Sequence, residues 1–362
     1  MQNLKELLNE NGYVVLDIDS QIDFHAGGSL GVLGQPDEVP GTGEGAISDS
    51  QKIAKLILEN PPDIFWASLD THTPTHIAHS KFWLPEPPEN TIIKFDNEFD
   101  GCYYLDGTNK IYLEPKSVKN IPDEVFKKWV FYYTKTLKEG GKFELFIWPF
   151  HCLENDKNRQ VHKTLGNALK ILKENRKTDV VYVVKGQNEA TEMYSIFQAE
   201  IPISDENLEK AGIPEIYRIE FKNLYRGKCT NTGSSCQVDT DAFVSHAFLN
   251  TSFNFELYYQ IVREIQNGSV LAVCGEAASH CVNWSLRDLI EFIKKDTSLG
   301  TLEKRQELLS RIVLLTDATS IVNLGYKPYD EKFANDTINL LEFCAENGVN
   351  LMTVSDFSNL FN

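Results

Sequence analysis

Six short runs of β-branched, aromatic and other apolar residues recur along the chain, each bounded by polar or turn-forming residues. They span residues 13–19, 63–70, 180–185, 269–274, 311–316 and 350–354. A run such as VVYVV is apolar at every position, which is typical of strands that are buried on both faces of a sheet. The pattern therefore predicts six buried strands.

Segments with helical periodicity lie between and after these runs. They span residues 47–58, 162–175, 255–266, 281–295, 302–310 and 331–347. Strands that alternate with helices indicate a parallel sheet covered by helices on both faces. We expect an α/β fold, doubly wound around a mainly parallel six-stranded sheet.

Two stretches interrupt this alternation, at about 91–144 and about 200–254. The first is rich in aromatic and turn-forming residues and contains a short helical pattern near 125–137. Segments of this length inside a compact domain are usually insertions with structure or function of their own. The sequence thus predicts one domain over residues 1–362, carrying two large insertions.

Composition excludes some partners and indicates a compartment. The chain has 362 residues, 42% of them hydrophobic, and a net charge of −17, which disfavours nucleic acid and anionic membranes as partners. The N-terminus lacks the apolar core of a secretory signal, and no apolar run is long enough to cross a membrane. Seven scattered cysteines fit reduced thiols in the cytoplasm, and Cys229 and Cys236 are predicted to be free thiols rather than a disulfide or metal pair.

Three of the predicted strands lead into residues capable of proton or nucleophile chemistry, namely Asp19, Lys185 and Cys281. The carboxyl ends of parallel strands meet in one crevice, so these side chains are expected to converge. Cys281 also begins a helical pattern, where exposed N–H groups stabilise a thiolate and can hold an oxyanion. Cys274, inside its strand, is expected to be a core residue. The grouping predicts a cysteine-dependent enzyme.

A second group has the residue types of a metal site. Asp70 and His72 follow the second strand run with the spacing that lets both side chains point the same way, and His151 is a third candidate. Two histidines and one carboxylate can bind a divalent ion and leave positions open for water or substrate. His76 is an accessory candidate, whereas His79 is expected to be surface-exposed or structural.

Five motifs together resemble the nicotinamidase branch of the isochorismatase-like cysteine hydrolases. They occur in the family's order and cover the chain from about 14 to 354, apart from the two insertions. They are DSQIDF (19–24) with GGSL (27–30), DTHTPTH (70–76), WPFHC (148–152), KG (185–186) with YSIF (194–197), and GEAASHC (275–281).

The resemblance implies an isochorismatase-like hydrolase fold and a role for each matching residue. Asp19 would act as base and then acid, Lys185 would position it, and Cys281 would attack a carboxamide to form a thioester. The N–H groups of Ala277 and Cys281 would form the oxyanion hole, with a cis peptide between Glu276 and Ala277.

The resemblance also implies a cofactor and a substrate. Asp70, His72 and His151 would hold one divalent metal ion, zinc in the first instance, with iron or manganese as alternatives. The substrate would be a small heteroaromatic amide, nicotinamide, hydrolysed to nicotinate and ammonia in NAD salvage. The matching residues that would wall its ring are Phe24, Trp148 and Tyr194.

Departures from the family pattern leave alternatives open. Thr71 stands where the family commonly has tryptophan, and Ala278 and Ser279 replace its usual Thr-Asp pair. The segment after Cys152 also lacks the family's G-T-x-G-A. Hydrolysis of another small amide, a non-haem iron oxygenase and a non-catalytic binding protein on the same scaffold remain alternatives, and homo-oligomer formation stays open.

Overall fold

The structure is a computed structural model that describes residues 3–140, 142–175, 177–224 and 251–361. Its strands are β1 (Tyr13–Ile18), β2 (Ile64–Asp70), β3 (Trp83–Leu84), β4 (Thr91–Asp96), β5 (Gly101–Asp106), β6 (Asn109–Pro115), β7 (Leu145–Ile147), β8 (Asp179–Lys185), β9 (Val270–Gly275), β10 (Ile312–Leu315) and β11 (Asn350–Met352). Its α-helices are α1 (Leu4–Asn11), α2 (Ala46–Glu59), α3 (Asp123–Glu139), α4 (Lys163–Glu174), α5 (Asp205–Lys210), α6 (Glu215–Lys222), α7 (Phe255–Gln266), α8 (Cys281–Lys295), α9 (Leu302–Leu309), α10 (Lys327–Glu346) and α11 (Val354–Ser358).

The central sheet contains the six strands predicted from the sequence. Its order is β11-β10-β9-β1-β2-β8, and every adjacent pair is parallel. Each observed strand begins and ends within two residues of the predicted run. The α/β class and the parallel six-stranded sheet are confirmed.

Alternation along each central strand sends side chains into two separate cores. On β1, Val14 and Leu16 pack in a cluster with residues of α7 and α8. Tyr13 and Val15 pack in another cluster with residues of α2 and α4. Successive strand residues point to opposite faces, so both faces of this sheet are covered by helices.

The sheet's register brings chemically active residues to one edge. Asp70 pairs with Lys185 at the last position of β2 and β8. On the other side of β1, Ile18 pairs with Gly275, just ahead of Asp19 and of the turn that leads to Cys281. The parallel direction therefore places all four of these strand ends at the same crevice.

A second sheet fills much of the region predicted as the first insertion. Strands β3 to β7 form an antiparallel sheet in the order β3-β6-β5-β4-β7, and α3 packs against it. Residues of α3 such as Phe126, Trp129 and Tyr133 are fully buried in its core. The predicted helix near 125–137 is present and slightly longer. That this segment is an insertion stays a prediction.

The second predicted insertion is described only in part. Residues 205–210 and 215–222 form the short helices α5 and α6, and residues 225–250 lie outside the described ranges. Cys229 and Cys236 therefore also lie outside them. In the described parts of the chain, no helix has the length and apolar character needed to cross a bilayer.

Candidate active site

Asp19, Lys185 and Cys281 converge at the carboxyl edge of the central sheet. The Lys185 ammonium nitrogen lies 3.0 Å from Oδ2 of Asp19 and 3.7 Å from Sγ of Cys281. Asp19 has a φ of +51°, in the left-handed region that aspartate tolerates better than most residues, and this turns the chain out of β1. One buried ammonium thus contacts both a carboxyl group and a thiol.

All three side chains are buried, and burial and neighbouring charges together shift their pKa values. Burial by itself lowers the pKa of Lys185, but Asp19, Asp70 and Cys281 together raise it well above its usual value. Burial raises the pKa of Asp19 despite Lys185. Burial also raises the pKa of Cys281 well above that of a free thiol; Lys185 opposes this rise, and Asp19 and Asp70 add to it. These directions favour a neutral thiol on Cys281 beside Asp19.

Two further contacts hold this group in place. The Ser68 hydroxyl donates to Oδ1 of Asp19 at 2.5 Å and accepts from the Asp19 backbone N–H at 2.9 Å. Lys185 donates to the carbonyl oxygen of Met193 at 2.9 Å. Ser68 was not predicted from the sequence, although its position two residues before Asp70 in β2 places both side chains on one face of the strand.

Asp70, His72 and His151 form the metal-type cluster that their residue types predicted. One ligand atom from each lies within 4.8 Å of the others, and all three residues are buried. Oδ2 of Asp70 is 2.8 Å from Nε2 of His72 and 3.5 Å from Nε2 of His151. Among the described residues, this is the one cluster of at least three His, Cys, Asp or Glu groups with metal-binding geometry.

Backbone carbonyl groups orient both histidines toward Asp70. Nδ1 of His72 faces the Gly186 carbonyl oxygen at 3.0 Å, and Nδ1 of His151 faces the Pro149 carbonyl oxygen at 2.7 Å. A carbonyl oxygen only accepts, so Nδ1 carries the hydrogen in each ring and Nε2 is directed at Asp70. Metal-ligating histidines are usually held in this way, and the donor set fits a divalent ion.

His72 shows why an ion suits the site. With Nδ1 against a carbonyl and Nε2 against a carboxylate, its ring needs hydrogens on both nitrogens. Burial alone lowers the pKa of His72, but Asp70 raises it above the usual value. A divalent cation at Nε2 would take the place of that second proton, since metals bind neutral imidazole.

Gly186 has no side chain, which allows Asp70 and His72 to pack against its backbone. A Cβ built on this residue would lie 2.5 Å from Oδ1 of Asp70 and 2.9 Å from Cε1 of His72, and its φ is +78°. Oδ1 of Asp70 also lies 3.3 Å from the Lys185 ammonium. Burial opposes ionisation of Asp70, but His72 and Lys185 hold its pKa well below its usual range.

The other two histidines of this region lie behind the ligand cluster. Nε2 of His76 faces the Thr191 carbonyl oxygen at 3.0 Å, and its Nδ1 accepts from the Ala78 N–H at 3.3 Å. Because both of its ring nitrogens are hydrogen-bonded to the backbone, His76 is not part of the Asp70–His72–His151 cluster. His79 is fully buried, so the expectation of surface exposure is wrong and the structural alternative holds.

The predicted ring-binding residues line the pocket beside Cys281. Phe24, Trp148 and Tyr194 border the same cavity as Asp70, His151 and Cys281. Nε1 of Trp148 donates to the Tyr194 hydroxyl at 3.1 Å, which fixes the two rings relative to each other. Their role in substrate binding stays a prediction.

Two polar residues that line this pocket, Glu192 and His280, were not predicted from the sequence. Oε1 of Glu192 accepts from the Met193 N–H, and burial raises the pKa of its carboxyl group. Nδ1 of His280 lies 2.8 Å from the Ser279 hydroxyl, and burial lowers the pKa of this histidine to about 3. Adjacency to Tyr194 and Cys281 was the only signal for either residue.

The turn between β9 and α8 leads to Cys281. The peptide bond between Glu276 and Ala277 is cis, at the position that the resemblance implied. Ala277 lines the pocket together with Cys281. The use of their N–H groups as an oxyanion hole stays a prediction.

Comparison with known proteins gives a likeness at the level of whole structures alone. No family model and no curated protein matches the sequence. Among solved structures, an Acinetobacter baumannii nicotinamidase/pyrazinamidase has 13% identity and a TM-score of 0.46, covering 96% of this chain and 98% of its own.

Two other solved structures show a similar likeness. The yeast nicotinamidase bound to the inhibitor nicotinaldehyde has 14% identity and a TM-score of 0.45, with 94% and 99% covered. The Pyrococcus horikoshii pyrazinamidase in complex with zinc has 14% identity and a TM-score of 0.37, with 94% and 98% covered. At these identities and TM-scores the likeness does not decide family or function, which must be argued from the site.

Proposed function

We propose that this chain is a metal-dependent cysteine amidohydrolase that converts nicotinamide and water to nicotinate and ammonia, as a step of NAD salvage. The observation that carries the proposal is the contact of one buried ammonium, on Lys185, with both Asp19 and Cys281. Asp70 and His151 of the metal-type cluster line the pocket beside Cys281, together with aromatic side chains. The five sequence motifs, in one order, support the same activity.

The first chemical step is proton transfer coupled to attack. Asp19 takes the Sγ proton of Cys281 as the sulfur forms a bond to the carboxamide carbon. The carbonyl π electrons move onto oxygen, and the N–H groups of Ala277 and Cys281 would hold this oxyanion. Lys185 stabilises the developing sulfur charge and keeps Asp19 aligned.

The second step releases ammonia. The carbon–nitrogen bond breaks, the electron pair stays on nitrogen, and Asp19 returns the proton to it, leaving an acyl thioester on Cys281. A water molecule then attacks the thioester, giving one proton to Asp19. The carbon–sulfur bond breaks and Asp19 passes its proton to the sulfur. The acid product leaves and gives up its carboxyl proton to water, as nicotinate.

Asp70, His72 and His151 would hold the divalent ion, with zinc, iron and manganese all compatible with such donors. Bound there, the ion would supply a fixed positive charge that anchors the ring nitrogen of the substrate. The chain's own aromatic residues would then confine the ring. A small heteroaromatic amide other than nicotinamide would fit the same argument.

Two other classes of function are weaker. A non-haem iron oxygenase could use the same histidines and carboxylate, yet it has no use for Cys281 in contact with Lys185. A non-catalytic binding protein has no need for a buried base, cation and thiol, because buried charges of this kind are costly to keep. Cytoplasmic location and homo-oligomer formation stay predictions.

The direct test is ammonia release from nicotinamide, pyrazinamide and benzamide, with and without a chelator. The proposal expects turnover of the two heteroaromatic amides that falls on metal removal and returns with added zinc, iron or manganese. Cys281→Ala should abolish turnover but still bind metal. The control Cys344→Ala, which removes a buried thiol of α10, should keep its turnover. Turnover by Cys281→Ala would refute the cysteine mechanism.

A further inference from the structure

Two buried carboxyl groups meet beneath the turn that precedes the nucleophile. Asp49 lies in the first turn of α2, and Glu276 follows β9 directly. Both residues are at most 1% exposed, and their carboxyl groups are within hydrogen-bonding reach of each other. Oδ1 of Asp49 and Oε2 of Glu276 have no other hydrogen-bonding partner among the described residues.

One proton resolves this arrangement. Two carboxylates can only accept, so two adjacent ionised groups would leave both oxygens buried without a donor. A carboxylic acid beside a carboxylate gives one strong hydrogen bond and removes one charge. A metal ion is not the alternative, since the one metal-type cluster in the described residues is Asp70–His72–His151.

The surrounding charges favour the proton. Groups that face the two carboxyls include Asp17 on β1 and Asp317 after β10, both of which oppose a second negative charge. The Cys274 thiol on β9 also faces them, and its pKa is raised well above its usual value, so it adds no charge of its own. The nearby cation, Lys52 on α2, is paired with Asp317 at 3.3 Å. Burial, followed by the neighbouring carboxyl, raises the pKa of Glu276 well above its usual value.

Contacts from this pair lead directly to the turn. The Ser320 hydroxyl donates to Oδ2 of Asp49, and the Ser320 carbonyl accepts from the Ala278 N–H at 2.7 Å. The Glu276 N–H donates to the Ile18 carbonyl at 2.6 Å. The turn is thus fixed by the end of β1, by Ser320 and, through the side chain of Glu276, by α2.

We propose that Asp49 and Glu276 share one proton and that this acid pair positions the turn holding Ala277 and Cys281 for catalysis. The catalytic part rests on the function proposed above. The shared proton keeps Glu276 attached to α2, and Ala277, the next residue, lies where its N–H would meet the oxyanion. Asp49 and Glu276 are positioning residues, since neither is placed against substrate.

Infrared spectroscopy tests the proton directly. Glu276→Gln keeps the shape and a donor, so Asp49 can ionise and accept from the new amide. The difference spectrum between wild type and Glu276→Gln should show the loss of one protonated carboxyl band at neutral pH, and Asp49→Asn should lose the same band. Retention of that band in both variants would overturn the shared proton.

Kinetics test the positioning. Glu276→Met has a similar length and no polar atoms, so it should lower kcat by about 100-fold, the cost of a small displacement of catalytic groups, with KM little changed. Glu276→Gln should keep most of kcat. Full kcat in a folded Glu276→Met, or a loss in Glu276→Gln equal to that in Glu276→Met, would overturn the positioning role.

A thiol readout separates this proposal from the function itself. The rate at which iodoacetamide alkylates Cys281, followed by peptide mass spectrometry, should change in Glu276→Met and not in Glu276→Gln. If wild type hydrolyses no amide, the proposed function fails, but the infrared and alkylation results still decide the acid pair. Equal alkylation in all three proteins would show that the pair does not position Cys281.

Discussion

Asp70 and Lys185 are in register at the ends of adjacent strands, and Oδ1 of the carboxylate lies 3.3 Å from the ammonium nitrogen. Oδ2 of the same carboxylate faces the Nε2 atoms of His72 and His151. The Asp70 side chain therefore belongs to the metal-type cluster and also contacts Lys185, which in turn contacts Asp19 and Cys281. A change in either group is expected to be felt in the other.

Gly186→Ala should disturb both groups at once. The new Cβ would press on Asp70 and His72 from a residue with positive φ, so metal affinity should fall by about 10- to 100-fold, as for other changes that displace ligands. Titration of bound metal after dialysis measures this. Gly212→Ala is the matched control, since Gly212 also has positive φ (+71°) and a Cβ there meets nothing within 4 Å. Metal affinity as high in Gly186→Ala as in Gly212→Ala would show that the new Cβ does not displace the ligands.

Lys185→Met should leave the two carboxylates of Asp19 and Asp70 buried without their cation. Removing one partner of a buried ion pair costs about 3–5 kcal/mol, which urea unfolding should detect as a lower free energy of unfolding. Asp19→Asn/Lys185→Met should recover part of that stability but none of the activity. A double variant no more stable than Lys185→Met would contradict the pairing of Lys185 with Asp19.

Ser68→Ala should lower kcat/KM, because Asp19 loses the hydroxyl that holds Oδ1 and caps its backbone N–H. A hydrogen bond to a charged group contributes about 1.5–3 kcal/mol, so a loss of about 10- to 100-fold is expected. Thr178→Val is the control, since its hydroxyl bonds the Pro62 carbonyl at the opposite end of the sheet. If Ser68→Ala and Thr178→Val have equal kcat/KM and differ only in stability, Ser68 does not support the catalytic group.

Glu276→Gln should change how stability depends on pH. Glu276 has a raised pKa in the folded chain and an ordinary value of 4.5, so between these values the folded state binds more protons than the unfolded state. Proton binding at Glu276 therefore gives the folded chain its full stabilisation below pH 4.5. This stabilisation declines as pH rises toward the folded pKa of Glu276, by at most about 1.4 kcal/mol per pH unit. The variant lacks this decline, so its stability relative to wild type should grow with pH.

Urea unfolding between pH 5 and the pH at which wild type unfolds measures that difference. Glu59→Gln, on the exposed side of α2, controls for loss of a carboxylate in general. A constant stability difference between Glu276→Gln and wild type across the range would show that Glu276 is already ionised in the folded chain.

The central sheet was predictable because its strands are almost uniformly apolar, as expected for burial on both faces. The second sheet was not, since β5 and β6 carry half-exposed aromatic and charged residues that resemble a loop in sequence. α1 was also missed, although Asn3 and Glu6 form a capping box that the sequence displays. Short polar helices give weak periodicity.

The site was predictable where residues sit at strand ends or in motifs, as Asp19, Asp70 and Lys185 do. Glu192 could not be placed, because it lies in an irregular segment whose path depends on contacts with distant residues such as Tyr133. The contact between Asp49 and Glu276 was equally unpredictable, since α2 and β9 are far apart in sequence. Contacts of this kind depend on packing of the whole fold.

The most direct test of the central claim is to trap the intermediate on Cys281. Zinc-loaded enzyme mixed with nicotinamide and quenched in acid within one turnover should yield a nicotinoyl group on the peptide that contains Cys281. Mass spectrometry of the digest identifies it, and the same adduct should be absent from Cys281→Ala, which should release no ammonia. Undiminished ammonia release from Cys281→Ala would contradict the account.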